Sequence, residues 1–164
     1  MTRTRLILAV CACTAVLVVL VLLAVRSQRV LVDGLPPRTE YPDAQAAWSA
    51  AGQFARDSGG NLVTVLGTGS MAPYIPAAAA GRNPLETITA LAVTVPGASF
   101  ASVTPGALCL YRHSASAVGV TMHGAAVLTP AGWKMSGLHN ARSDIYMTAG
   151  NFIGLVARVF VWPQ

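Results

Sequence analysis

The residues best suited to chemistry lie in the segment 67–73, Gly-Thr-Gly-Ser-Met-Ala-Pro. Glycine adopts backbone angles that other residues avoid and proline fixes φ, so this segment is expected to form a tight, exposed turn. It follows the apolar run Leu62–Leu66, which has the length and composition of a short strand. Ser70 is therefore predicted to lie at a strand end with free backbone N–H groups nearby, as a nucleophile requires.

A serine hydroxyl attacks efficiently only when a base takes its proton, and the chain offers four candidate bases. These are His113, His123, His139 and Lys134. His123 lies in an apolar, strand-like segment, whereas His139 lies in a polar segment that also contains Asp144. An aspartate can orient an imidazole by accepting its second N–H. A core, turn or solvent-exposed role is the alternative for each of these residues.

A second prominent feature is the uncharged apolar run of residues 6–25. At about 1.5 Å per residue, a helix of this length spans roughly 30 Å, the thickness of the hydrocarbon core of a bilayer. A cleaved signal peptide is the alternative, but its apolar region is usually about 7–15 residues long and ends in small residues. The run predicts a single-pass membrane anchor. Arginines flank it on both sides, so charge does not determine the orientation.

Composition argues against several other function classes. The net charge of +5 comes from dispersed arginines and one lysine, which does not indicate nucleic-acid binding. Cys11 and Cys13 lie in the apolar run and Cys109 is alone in the remainder, so neither an intradomain disulfide nor a Cys/His metal site is predicted. Cys109 is expected to be a buried strand residue. No cofactor and no metal are predicted.

The pattern along the chain predicts one short helix followed by strands. Asp43 and the Gly59-Gly60 pair fit the start and the end of a helix over residues 43–58. Short apolar or alternating segments separated by turns then predict a small, mainly antiparallel β domain. The predicted strands cover residues 62–66, 85–95, 108–111, 118–123, 126–128, 145–147 and 152–161. The predicted organisation is an anchor (1–29), a linker with the short helix (30–60) and a β catalytic domain (61–164).

Five segments resemble, in order, the motifs of the signal peptidase I family of membrane-anchored serine peptidases. Residues 69–73, Gly-Ser-Met-Ala-Pro, are similar to its Ser-Met-x-Pro box. Residues 105–112 resemble its Gly-Asp-hydrophobic strand, and Thr121-Met122-His123 resembles the box that carries the general base. Residues 132–144 resemble its Gly-Asp-Asn-Asn…Asp segment, and residues 153–156 its closing Ile-Gly-x-Val strand. The resemblance covers nearly all of the part that follows the linker.

The resemblance implies a mostly antiparallel β domain beside the membrane, on its outer side, and a mechanism. Ser70 would attack the scissile carbonyl, His123 would accept its proton as in the Ser-His type, and Asp144 would orient His123. The Ser70 N–H and Thr68 would help to bind the oxyanion. His139 and Lys134 stay open as an alternative orienter or base. The implied partners are a leader-peptide substrate, membrane lipid and a protein of the secretion machinery.

Three positions depart from the family pattern: Ala107 and Leu138 stand where the family has aspartates, and Gly124 stands where an arginine usually follows the base. A remodelled active site and a degenerate, non-catalytic module that binds peptides or an envelope partner are both compatible with these changes. A structural subunit of an envelope or secretion apparatus is a third hypothesis. Only the peptidase requires a serine hydroxyl and an imidazole in contact.

Overall fold

The computed structural model describes residues 13–19, 21–22, 32–113, 119–139 and 146–164. Among the described residues from Arg38 onward there are one α-helix and eight strands, together with a 3-10 turn at Phe100–Ser102. In chain order they are β1 (Arg38–Glu40), α1 (Ala44–Ser58), β2 (Leu62–Leu66), β3 (Ile88–Thr94), β4 (Leu108–Arg112), β5 (Val120–Thr129), β6 (Gly132–Ser136), β7 (Tyr146–Met147) and β8 (Phe152–Val161).

The helix α1 begins and ends where the sequence predicts. The Asp43 carboxylate accepts a hydrogen bond from the Ala46 N–H at 2.8 Å, which satisfies a donor that the first helical turn leaves unpaired. Gly59 ends the helix in the left-handed conformation, with φ of 71°, which costs glycine little. The predicted helix over residues 43–58 is therefore confirmed.

The strands form one sheet in the order β2-β3-β8-β4-β5-β6-β7. All neighbours in this order are antiparallel, and β1 adds a parallel pairing with the C-terminal part of β8. The prediction of a mainly β, antiparallel domain with a short helix is confirmed. Within this order β2, which leads to Ser70, is an edge strand.

Four segments differ from their predicted form. One is β6 (Gly132–Ser136), which was not among the predicted strands. Residues 118–123 and 126–128 were expected as two strands, but β5 is continuous, with a register shift between Ala125 and Val127 in its pairing with β6. Residues 85–87 precede β3 because Asn83 holds them in a turn, accepting a hydrogen bond from Leu85 N–H at 3.1 Å. Residues 38–40 were assigned to a linker and instead pair with β8 as β1.

Alternation along β3 directs its side chains to two different clusters, since successive strand residues point to opposite faces. Leu91 and Val93 face α1, where Ala47 and Ala51 are completely buried. The small residues Ala90 and Ala92 face the other way. That second cluster also contains Met71, Ile75, Leu108, Leu110, Met122, Val156, Val159 and Val161. A third cluster around Tyr111, Trp133 and Met135 fills the β4–β6 end of the sheet.

Residues 13–19, 21 and 22 are helical with exposed side chains, and they are the only part of the predicted span 6–25 that the structure describes. In the described ranges no helix combines the length and apolar character needed to cross a bilayer.

Candidate active site

The segment that leaves β2 is held on both sides by backbone hydrogen bonds. Gly67 donates its N–H to the Thr87 carbonyl and accepts from the Ala78 N–H, both at 2.9 Å. The approach is so close that a β-carbon on Gly67 would lie 2.5 Å from the Ala78 nitrogen. Glycine is required here for packing, which fixes the start of the serine turn.

The turn that carries Ser70 has a defined backbone geometry. Gly69 has φ of 80°, a value that favours glycine, and its carbonyl accepts from the Ala72 N–H at 3.0 Å. The Ser70 carbonyl accepts from the His139 N–H at 3.0 Å. No described residue accepts a hydrogen bond from the Ser70 N–H. Within the described part of the chain, this donor is therefore available to a ligand.

His123 meets the serine directly. Its Nε2 lies 2.9 Å from the Ser70 Oγ, although 53 positions separate the two residues in the chain. The imidazole is 5% exposed and comes from β5, so the sheet holds it in place while the turn brings the hydroxyl to it. A distance of this size lets the imidazole take the hydroxyl proton during an attack.

The other imidazole nitrogen faces Tyr111. The Tyr111 hydroxyl lies 3.2 Å from His123 Nδ1, and Tyr111 is completely buried. Sequence reasoning missed this contact because it depends on strand register: Tyr111 pairs with Thr121, and His123 is the diagonal neighbour on the same face. Diagonal neighbours lie within reach of aromatic side chains, so a known register would have revealed the pair.

The Thr68 hydroxyl also lies near Ser70. Its Oγ1 lies 3.4 Å from the Ser70 Oγ, at the long end of hydrogen-bonding distance. The threonine is exposed, so its hydroxyl is free to rotate toward a ligand. This arrangement allows Thr68 to donate a hydrogen bond beside the nucleophile.

The remaining predicted site residues occupy different positions. Asp144 lies outside the described residues. His139 is exposed and reaches the site through its backbone N–H. Lys134 is exposed on β6, where it pairs with Val127 and Tyr146, and it is absent from the residues that line the Ser70 cavity.

A cavity of about 510 Å³ adjoins Ser70 and His123. Its walls are mainly apolar, and its mouth includes the side chains of Leu85 and Val120, which are 48% and 38% exposed. The strand β2 contributes one wall. The lining residues are Val63, Thr64, Val65, Leu66, Thr68, Gly69, Ser70, Met71, Ile75, Leu85, Leu110, Val120, Thr121, Met122 and His123.

Two of the positions that depart from the signal peptidase pattern are occupied by packed apolar side chains. Ala107 belongs to the cluster around Tyr111, and Leu138 packs against the cluster that contains Met71. Gly124 lies within β5, opposite Leu108. At these two positions the side chains make apolar packing contacts and supply no negative charge.

Two ionisable groups near the site are shifted by burial. Burial raises the pKa of the Cys109 thiol to about 12, so this strand residue is protonated at neutral pH and is a poor nucleophile. The predicted burial of Cys109 is confirmed. Burial also raises the pKa of Tyr74, against a smaller lowering by Arg38, and Tyr74 donates its hydroxyl proton to the Pro36 carbonyl.

The described part of the chain contains no group of three histidine, cysteine or carboxylate side chains that would hold a metal ion. Comparison with protein-family models, curated protein sequences and solved structures found no match. The site is therefore defined by its own geometry: a serine hydroxyl in contact with a buried imidazole, a backbone N–H that donates to no described residue, and an adjoining cavity with mainly apolar walls.

Proposed function

We propose that this chain is a membrane-anchored serine endopeptidase that resembles signal peptidase I and cleaves leader peptides of exported proteins. The observation that carries the proposal is the 2.9 Å contact between Ser70 Oγ and His123 Nε2. Ser70 attacks the scissile carbonyl while His123 takes its proton, and His123 gives that proton to the leaving amine as the peptide bond breaks. Water, activated by the same imidazole, then hydrolyses the ester on Ser70 and restores its hydroxyl. The Ser70 N–H and the Thr68 hydroxyl bind the oxyanion, each contributing about 3 kcal/mol. Asp144 is proposed to orient His123.

The cavity supports an apolar, extended substrate. Its volume of about 510 Å³ accommodates more than one side chain of a peptide. The wall formed by β2 belongs to an edge strand, and an extended peptide can add to such an edge through main-chain hydrogen bonds. Leader peptides combine an apolar region with an extended cleavage segment, and they fit this groove.

Residues 6–25 would anchor the chain in a membrane. The outer side for the β domain is taken from the resemblance to signal peptidase I. The exposed apolar side chains of Leu85 and Val120 at the cavity mouth suit a substrate delivered from a lipid layer. A partner protein of the secretion machinery remains part of this proposal.

The test uses the full chain in detergent micelles with a synthetic precursor that carries an apolar region and an Ala-x-Ala cleavage segment. Ser70→Ala and His123→Ala should each lower kcat by at least about 10³-fold, because each removes one half of the reacting pair. Both variants should keep the wild-type melting temperature. Ser49→Ala, on the exposed surface of α1, is the matched control and should cleave normally.

Two further measurements identify the base and distinguish the peptidase from a non-catalytic module. A histidine base must be neutral, so the rate should fall when acid protonates the imidazole, whereas a profile without this fall would exclude His123 as the base. A fluorophosphonate probe should label the wild type and not Ser70→Ala. A different result would identify a non-catalytic binding module: the wild type is neither labelled nor able to cleave, and peptide binding survives Ser70→Ala. The apolar residues at Ala107 and Leu138 favour this alternative.

A further inference from the structure

The hydrogen bond between Tyr111 and His123 has a consequence for the protonation state of the imidazole. In neutral histidine one ring nitrogen carries the proton and the other accepts. His123 Nε2 faces the Ser70 hydroxyl at 2.9 Å and must accept from it if it is to act as the base. The proton of the neutral ring then lies on Nδ1, which is 3.2 Å from the Tyr111 oxygen.

We propose that Tyr111 is a positioning residue: its hydroxyl oxygen accepts the Nδ1–H of His123 and thereby holds the imidazole in the tautomer that presents a free Nε2 lone pair to Ser70. This inference rests on the proposed function for its catalytic consequence. It assigns to Tyr111 the orienting role that the resemblance to signal peptidase I implies for Asp144.

The position of the Tyr111 hydroxyl is fixed by the sheet and the core. Tyr111 lies in β4, between β5 and β8, and its completely buried ring packs in the cluster with Trp133 and Met135. Interiors packed in this way leave a side chain little freedom to change rotamer. The oxygen therefore reaches Nδ1 at low entropic cost, which is what an orienting group requires.

A phenol differs from a carboxylate in what it supplies. Its oxygen accepts the Nδ1–H and fixes the ring, but it carries no formal charge to stabilise the imidazolium that forms when Ser70 attacks. Tyr111 is therefore expected to act on the tautomer and the orientation of His123. Stabilisation of its charged form is the contribution that a carboxylate such as Asp144 would add.

The first test measures the tautomer directly by nitrogen NMR on the full chain, labelled with ¹⁵N-histidine, in detergent micelles. The sequence has three histidines, so His113→Gln and His139→Gln assign the His123 signals. Neutral His123 should carry its proton on Nδ1 in the wild type, and Tyr111→Phe should shift the population toward the Nε2–H form. A wild-type His123 protonated on Nε2, or a tautomer population unchanged in Tyr111→Phe, would overturn the proposal.

The second test is kinetic. Tyr111→Phe retains the buried ring and removes only the hydroxyl, so kcat should fall by roughly 10- to 100-fold. This is a smaller decrease than that caused by losing the orienting carboxylate of a serine protease, which lowers kcat by about 10⁴-fold. KM should stay unchanged. The matched control is Tyr146→Phe on the exposed edge strand β7, which should keep wild-type kcat. An equal kcat in Tyr111→Phe and wild type would contradict a positioning role.

The two tests separate the two proposals. If the wild type has no peptidase activity, the proposed function fails, while the NMR experiment still decides whether Tyr111 sets the tautomer of His123. If cleavage depends on Ser70 and His123 but the tautomer does not respond to Tyr111→Phe, only the positioning role fails.

Discussion

The two faces of the sheet at β3 and β8 differ in what packs against them. On one face α1 covers Leu91, Val93 and Phe160, which are almost completely buried. On the other, open face Met71 and Leu110 belong to a second buried cluster and also line the cavity beside Ser70. Neighbouring residues of β3 thus pack against α1 on one side and in the cluster next to the cavity on the other.

The difference predicts that substitutions on the two faces have different effects. On the covered face the Phe160 ring stacks on Tyr41 and lies tilted against Phe54, with a centroid distance of 5.9 Å in each pair. On the open face the apolar surface that no helix covers is left available to a ligand. Substitutions on the covered face should therefore change the free energy of unfolding, and those at the open face should change substrate turnover.

The largest effect is expected for Phe160→Ala on the covered face. Removing a fully buried aromatic ring leaves a cavity and should lower the free energy of unfolding by about 3–5 kcal/mol. Urea denaturation of the full chain in micelles measures this loss. Trp48→Ala, on α1 but 41% exposed, is the control and should change stability by less than about 0.5 kcal/mol. Equal losses in the two variants would contradict the assignment of the core to this face.

An intermediate effect is expected at the open face. Leu85 is 48% exposed at the cavity mouth, so Leu85→Ala should hardly change the melting temperature. Loss of its contact with an apolar peptide should lower kcat/KM by roughly 5- to 10-fold, which corresponds to about 1–1.4 kcal/mol. Leu128 is 58% exposed and does not line the cavity, so Leu128→Ala should leave kcat/KM unchanged. Similar kinetics for both leucine variants would argue against the groove as the substrate site.

The smallest effect is a gain in stability on the covered side. Gly52 lies within α1, and an added β-carbon would be 3.6 Å from its nearest neighbour, an Arg56 side-chain nitrogen. Gly52→Ala should raise the free energy of unfolding by about 0.5–1 kcal/mol, because alanine favours a helix more than glycine does.

A glycine-to-alanine substitution at the serine turn should instead lower the free energy of unfolding. In Gly67→Ala the new methyl would lie 2.5 Å from the Ala78 nitrogen, so the backbone must move. We expect a loss of about 1–3 kcal/mol together with lower activity, measured by urea denaturation and by cleavage. Equal free energies of unfolding for Gly52→Ala and Gly67→Ala would contradict this prediction.

Local signals account for the parts of the fold that sequence reasoning predicted correctly. Asp43 and Gly59 bound α1 because capping depends on residue type at one position. The bounds of β2 and β8 also agree with their patterns. The strand β1 was missed, because a three-residue strand has no periodicity of its own and forms only by pairing with β8.

The amino-acid sequence by itself determined the chemical groups: a serine in a glycine turn after a strand, and a histidine in an apolar segment, each fixed by local backbone preference and side-chain type. Tertiary structure decided which groups meet. The contacts of His123 with Ser70 and Tyr111 depend on strand register and on packing between segments far apart in the chain. Register is set by non-local pairing and burial, which short stretches of sequence do not encode.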